Sequence, residues 1–109
     1  MSNLEYHVLL ALAGEPLYGL AIRDAVAAES AGALLPRAGS LYRVIARLMA
    51  DGLVREVAAA PHPSPNPGLP RRYYALTPAA RRELLAETRR RKQAVALAEE
   101  RLGVAPGRL

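Results

Sequence analysis

The chain has 109 residues, of which 51% are hydrophobic, so it can enclose one core of modest size. It lacks cysteine, tryptophan and phenylalanine, which excludes disulfides, thiolate nucleophiles and cysteine-ligated zinc. The net charge of +5 is uneven, because residues 1–35 carry one base against four acids and residues 36–92 carry twelve bases against four acids. A basic segment favours a polyanionic partner, although arginine that only keeps the chain soluble explains it equally well.

Two short helices are predicted at the start of the chain. Apolar residues share one helix face at four-residue spacing, at Leu4, Val8 and Leu12. The Gly-Glu-Pro sequence at 14–16 ends this helix. A second helix is predicted after Leu17, and it closes near Ala31-Gly32. One face of this helix is shared by Ile22, Ala25, Val26 and Glu29.

A third helix is predicted from about Gly39 to Asp51, followed by Gly52 as a C-terminal cap. Its apolar stripe consists of Leu41, Val44, Ile45 and Leu48. The opposite face carries Arg43 and Arg47, separated by small residues and flanked by Tyr42. Two arginines one turn apart can contact guanine or phosphate in a DNA groove. The alternative is a solvated amphipathic helix without a ligand.

The beginning of the third helix offers further groups to a nucleic acid. Arg37, Gly39 and Ser40 lie there, and the backbone N–H groups of a helix N-terminus suit a phosphate. We therefore include these three residues in the predicted DNA-binding set.

A β-hairpin is predicted over residues 53–76, with strands at 53–57 and 71–76. The connecting segment contains five prolines in ten residues, 61–70, and therefore cannot form a helix or a central strand. Arg71 and Arg72 follow it at the start of the second strand. They are predicted to contact phosphates from a projecting wing. A loop that merely connects two strands is the alternative.

A long last helix is predicted from Pro78 to about Leu102, because Thr77-Pro78 provides an N-cap followed by proline. Leu84 and Leu85 can close the core, and the basic run at 89–92 then interrupts the apolar pattern. This run either contacts phosphates or is simply exposed to solvent around the helix. Apolar residues form a stripe again beyond this run. The stripe has nothing in its own domain to pack against, unless it lies back on the first helix. A homodimer interface is therefore predicted at Leu4, Val8, Val95, Ala98 and Leu102.

The order helix, helix, helix, strand, loop, strand, helix is that of a winged helix-turn-helix protein. The predicted fold class is mainly α with a small β-hairpin. Residues 1–77 form the DNA-binding domain, and residues 78–109 form a C-terminal dimerisation helix and tail.

Enzymes, metal sites and membrane proteins find little support in the sequence. His7 and His62 are isolated, and no glycine-rich phosphate loop or spaced carboxylate pair is present. We expect no catalytic residues, no cofactor and no metal. The N-terminus has no basic segment ahead of an apolar run, and no apolar stretch approaches the roughly 18 residues that cross a bilayer. The protein is expected to be cytoplasmic and without a membrane partner.

Several short motifs occur together in a specific order. They are Leu9-Leu10-Ala11-Leu12, Pro16-Leu17-Tyr18-Gly19, Gly39-Ser40-Leu41-Tyr42, Gly52-Leu53-Val54 and Arg72-Tyr73-Tyr74-Ala75-Leu76-Thr77. In this combination, over roughly residues 4–85, the chain resembles the PadR family of transcriptional regulators, and it is similar to the compact members with one C-terminal helix. Leu20 departs from the pattern, because the family usually has an aromatic residue after Gly19.

The resemblance implies a winged-helix DNA-binding domain, with Tyr18 among the DNA-binding residues, and a C-terminal helix that dimerises. It also implies repression relieved by a small molecule, held at the dimer interface near the first and last helices, where Tyr6 is the available aromatic residue. The longer, proline-rich wing and the absence of tryptophan in the last helix depart from the family.

These observations predict a sequence-specific DNA-binding regulator, a repressor that acts as a homodimer on an inverted-repeat operator. The alternative is a winged helix that binds another protein. The exposed face of the third helix distinguishes the two, because a protein-docking surface would carry apolar or mixed-sign residues there. Steep salt dependence of binding to random DNA would favour the regulator.

Overall fold

The computed structural model describes residues 1–58 and 72–104. Arg71 and the proline-rich segment lie outside these residues, as does the end of the tail. The elements confirm the predicted fold class, with one additional strand between the first two helices: α1 (Asn3–Leu12), β1 (Leu17–Tyr18), α2 (Gly19–Glu29), α3 (Ala38–Ala50), β2 (Val54–Val57), β3 (Tyr73–Leu76) and α4 (Pro78–Leu102).

The sheet has three antiparallel strands in the order β1-β3-β2, one more than the sequence predicted. β2 pairs with β3 from Val54 opposite Leu76 to Val57 opposite Tyr73. The additional strand β1 pairs with the other edge of β3, with Tyr18 opposite Tyr73. All four residues of β3 are buried, because this central strand is covered on both edges and packs on the helices.

The core lies between the helices and the sheet, and it is aliphatic except for Tyr6 and Tyr74. The inward stripe of α3 is confirmed, since its four predicted apolar side chains are buried. The largest fully buried side chains are Leu9, Leu12, Ile22, Leu41, Ile45, Leu48, Val8 and Val26. The prediction that Val8 lies in a dimer interface is therefore wrong, because its side chain has no exposed surface and packs within its own chain.

The two predicted caps around the sheet are present. Gly52 follows α3 with φ +75°, a left-handed conformation that glycine adopts without a side-chain clash. Thr77 precedes α4, and its hydroxyl oxygen accepts a hydrogen bond from the Ala80 N–H at 3.2 Å. The same hydroxyl donates to the Gly52 carbonyl oxygen at 2.7 Å. Thr77 thus joins the start of α4 to the turn after α3.

We expect Thr77→Ala to lower the free energy of unfolding by about 1–2 kcal/mol, because it removes both the N-cap and the bond to Gly52. Urea unfolding at fixed protein concentration measures this change. Thr77→Ser keeps the hydroxyl and should lose less than half as much. Equal stability of Thr77→Ala and the parent protein would contradict this role.

Candidate nucleic-acid interface

The outward face of α3 is a basic surface with small residues between the charges. Arg43, Ala46, Arg47 and Ala50 are all exposed, because the four apolar side chains of this helix point into the core. Among the residues that the structure describes, Arg43 makes a long contact to its neighbour, from Nη2 to the Ser40 Oγ at 3.4 Å. Because the alanine side chains between the arginines are short, this face of α3 can approach a DNA groove closely.

Arg47 also has an electrostatic neighbour on another helix. Hydrogen bonds from Ser2 lower the pKa of the Glu5 carboxyl below its ordinary value, and the positive charge of Arg47 contributes to that shift. Ser2 and Glu5 form a capping box at the start of α1, in which the Ser2 N–H donates to Glu5 Oε1 at 3.0 Å and the Glu5 N–H donates to Ser2 Oγ at 3.1 Å. Sequence patterns did not indicate that this carboxylate lies near the third helix.

The first turn of α3 carries the predicted phosphate-contacting group. Arg37 is the N-cap residue, and its side chain makes no capping hydrogen bond. Arg37 and Gly39 are exposed, and Ser40 is half-buried. The first N–H groups of a helix have no intrahelical acceptor. This end of α3 can therefore donate to an anion.

The two tyrosines of the predicted set have different surroundings. Tyr18 is half-buried, and its ring meets that of Tyr73 edge-on, with ring centroids 6.0 Å apart. Tyr42 is 49% exposed on α3. Tyr18 therefore stabilises the β1–β3 pair, while Tyr42 lies at the edge of the basic surface.

The wing, which is the hairpin of β2 and β3, holds an ion pair that the sequence did not indicate. Arg72 donates from Nε to Glu56 Oε1 at 3.0 Å and from Nη2 to Oε2 at 2.8 Å. This bonding lowers the pKa of the Glu56 carboxyl below its ordinary value. The guanidinium expected to contact phosphate is thus already paired within its own hairpin.

A groove of about 440 Å³ lies between α3 and the wing. Its lining includes Tyr42, Ala46, Arg72 and Tyr74. Burial raises the pKa of the Tyr74 hydroxyl above its ordinary value. The fold therefore brings Tyr42 of the third helix and Arg72 of the hairpin to the same groove.

The first half of α4 contacts α1 through its side chains. The Tyr6 hydroxyl forms a hydrogen bond with Thr88 Oγ1 at 2.8 Å. Arg91 Nη1 donates to Asn3 Oδ1 at 3.0 Å, and its guanidinium carbon lies 3.9 Å from the Tyr6 ring centroid. The Tyr6 ring, expected to contact a ligand, is thus buried and covered by Arg91, so a ligand would reach it only by displacing that arginine.

The second half of α4 leaves its apolar residues exposed. We call Val95, Ala98 and Leu102 the C-terminal stripe. Val95 is 49% exposed and Leu102 is 70% exposed, while Ala98 is half-buried. The alternative in which this stripe lies back on the first helix is not observed. Leu4, the remaining predicted interface residue, is half-buried against the core.

Other kinds of site are not seen in the described ranges. Within residues 1–58 and 72–104, no three histidine, aspartate or glutamate side chains come together as a metal site requires. No helix in the same part of the chain combines the length and the apolar character needed to span a membrane.

Comparisons with known proteins give a family. The model of the transcriptional regulator PadR-like family matches residues 8–86, whereas a comparison with curated proteins finds no match. A solved PadR-like transcription factor from Bacteroides fragilis is 28% identical, with a TM-score of 0.69, over 89% of this chain and 87% of that chain.

Two further solved structures share the fold. A PadR family transcription regulator from Clostridium difficile R20291 is 16% identical, with a TM-score of 0.71, over 93% of this chain and 98% of that chain. Bacillus subtilis PadR, solved in complex with operator DNA, is 20% identical, with a TM-score of 0.65, over 80% of this chain and 47% of that chain. Since the family model matches well over half of the sequence, the chain belongs to the PadR-like family of transcriptional regulators.

Proposed function

We propose that this protein binds double-stranded DNA as a homodimer and represses transcription from an inverted-repeat operator. The observation that carries the proposal is the exposed basic face of α3, where Arg43 and Arg47 flank small residues beside the wing. Arginine pairs with the O6 and N7 atoms of guanine in the major groove. Membership in the PadR-like family supports the same function, and Bacillus subtilis PadR was solved with operator DNA.

Each group has its own task in this proposal. Arg43 and Arg47 read base edges, while Arg37, Gly39 and Ser40 hold a phosphate at the start of α3. Tyr18, Tyr42 and the wing residues Arg71 and Arg72 border the same DNA. Residues 1–77 form the DNA-binding domain, and residues 78–109 form the dimerisation helix and tail.

The C-terminal stripe supplies the dimer contact. Burial of its exposed valine and leucine would stabilise the dimer, by about 25 cal/mol per Å² of apolar surface removed from water. A second copy of α4 offers the same stripe, and two-fold pairing would satisfy both. We place Leu4 of α1 at the margin of this interface, together with Val95, Ala98 and Leu102.

A small-molecule effector would act close to this interface. Family resemblance supports it, and Asn3, His7, Glu29 and Arg91 help to line an open cleft of about 490 Å³ between α1, the end of α2 and α4. A ligand that displaces Arg91 from Tyr6 would disturb the joint between α4 and the DNA-binding domain. Thermal-shift screening, followed by DNA-binding assays on any compound found, tests this part of the proposal.

Salt dependence distinguishes DNA binding from a protein-docking function. Binding to random duplex DNA, followed by fluorescence anisotropy between about 50 and 200 mM salt, should weaken steeply, because neutralised phosphates release counterions. A protein-docking module would show no measurable affinity for DNA over this range, and that result would overturn the proposal.

The ion pair in the wing gives a separate prediction. Glu56→Gln should raise DNA affinity and steepen the salt slope by about 1, because Arg72 becomes free to contact a phosphate. The matched control is Glu83→Gln, which removes the same charge from an exposed position on α4. If both variants change the slope equally, Arg72 does not contact DNA.

A further inference from the structure

We propose that Tyr42 is a positioning residue, whose ring packs against Gly19 at the start of α2 and so holds α3 in place. Only glycine at position 19 leaves room for this ring. The proposal rests on the proposed function, in which α3 reads DNA. It assigns to Tyr42 a task within the protein, and to Gly19 the task of making room for it.

The requirement for glycine at position 19 is one of space. Gly19 is the buried first residue of α2. A methyl group built on its Cα would lie 2.7 Å from Cζ and 2.9 Å from Cε1 of Tyr42, and closer still to the tyrosine hydroxyl. Carbon atoms that are not bonded normally stay about 3.5–4.0 Å apart. Because the backbone at Gly19 does not have positive φ, alanine would suit the helix but not the tyrosine.

The other neighbours of Tyr42 explain why the position of its ring matters for the exposed face of α3. Tyr42 helps to line the groove towards the wing, together with Arg72 and Tyr74. It also borders a small cavity with Leu20 and Arg23 of α2. The ring thus lies between the start of α2, the exposed face of α3 and the third strand. Arg43, the proposed base-reading residue, is its immediate neighbour in sequence.

Displacement of the ring should leave the fold intact. Tyr42 is about half exposed, and the atoms that Gly19 would meet are at the far end of its side chain. Gly19→Ala therefore pushes the ring towards solvent without entering the core. What changes is the contact of the Tyr42 ring with the start of α2, and with it the orientation of the adjacent Arg43.

The test is a double-mutant cycle on the full chain, with a DNA site selected by the parent protein. Gly19→Ala and Tyr42→Ala should each weaken binding at least about tenfold, because a misplaced Arg43 would lose its base contact. Tyr42→Phe keeps the ring and should stay within about twofold. The double variant Gly19→Ala/Tyr42→Ala should bind no worse than either single variant, because both remove the same contact. Gly14→Ala is the matched control, since nothing lies within 4 Å of a methyl group there.

Three results would overturn the proposal. They are parental affinity in Gly19→Ala, additive losses in the double variant, and a loss in Tyr42→Phe as large as in Tyr42→Ala, which would make the hydroxyl a direct DNA contact. Thermal unfolding separates this proposal from the proposed function. If the parent protein binds no DNA, Gly19→Ala should still lower Tm in the parent and not in Tyr42→Ala, and equal shifts in both backgrounds would contradict the positioning contact.

Discussion

Arg43→Ala is expected to weaken binding to the selected DNA site by about 1–3 kcal/mol per half-site, and to relax the preference at one base pair. Arg47→Ala should relax the preference at a neighbouring base pair, because Arg47 also reads a base edge in the proposed complex. Both side chains lie on the exposed face of α3, so the losses arise from DNA contacts and not from unfolding. Competition binding against single-base variants of the site, by fluorescence anisotropy, measures the two effects.

Two further variants make this prediction specific to the geometry of the guanidinium. Arg43→Lys keeps the charge but cannot make the bidentate contact, so it should lose discrimination while keeping the salt slope. Arg82→Ala removes a charge from an exposed position on α4 and should leave the base preference unchanged. If Arg43→Ala and Arg47→Ala both bind with parental affinity and preference, α3 does not read the DNA.

A charge in the C-terminal stripe should abolish the dimer. Val95→Glu would place a carboxylate where two apolar stripes meet, and an unpaired buried charge is strongly unfavourable. Light scattering at micromolar concentration should then give a monomer. Affinity for the operator should fall by about 10²–10⁴, because the two half-sites are no longer bound together.

The control for this prediction comes from the same helix. Gln93→Glu adds the same charge at an exposed position on nearly the opposite side of α4, and it should leave the dimer intact. Truncation after Lys92 should match Val95→Glu, since it spares the contacts of Arg91 with Asn3 and Tyr6. A dimer that survives both Val95→Glu and this truncation would place the interface elsewhere.

Local sequence signals were sufficient for the helices. The spacing of apolar residues in α1 and α3 and the cap at Thr77 are signals that extend over only one or two helical turns. They can therefore be recognised in the sequence without knowledge of the tertiary structure. The strand β1 could not be predicted in this way, because two residues carry no alternation. It exists only because β3 offers it a free edge.

The errors and omissions share a cause, because they depend on which parts of the chain meet. Periodicity showed that Val8 faces an apolar surface, but not that the surface belongs to its own chain. The pair of Arg72 and Glu56 depends on strand register across a long loop. The contact of Tyr42 with Gly19 joins two helices and leaves no pattern in either.

Selection of DNA from a random pool by the parent protein tests the central claim most directly. The account predicts enrichment of an inverted repeat, with half-sites centred one helical turn, about 10–10.5 base pairs, apart, since a two-fold dimer would place its two copies of α3 in successive major grooves. A folded protein that returns the pool without any enriched sequence would contradict it.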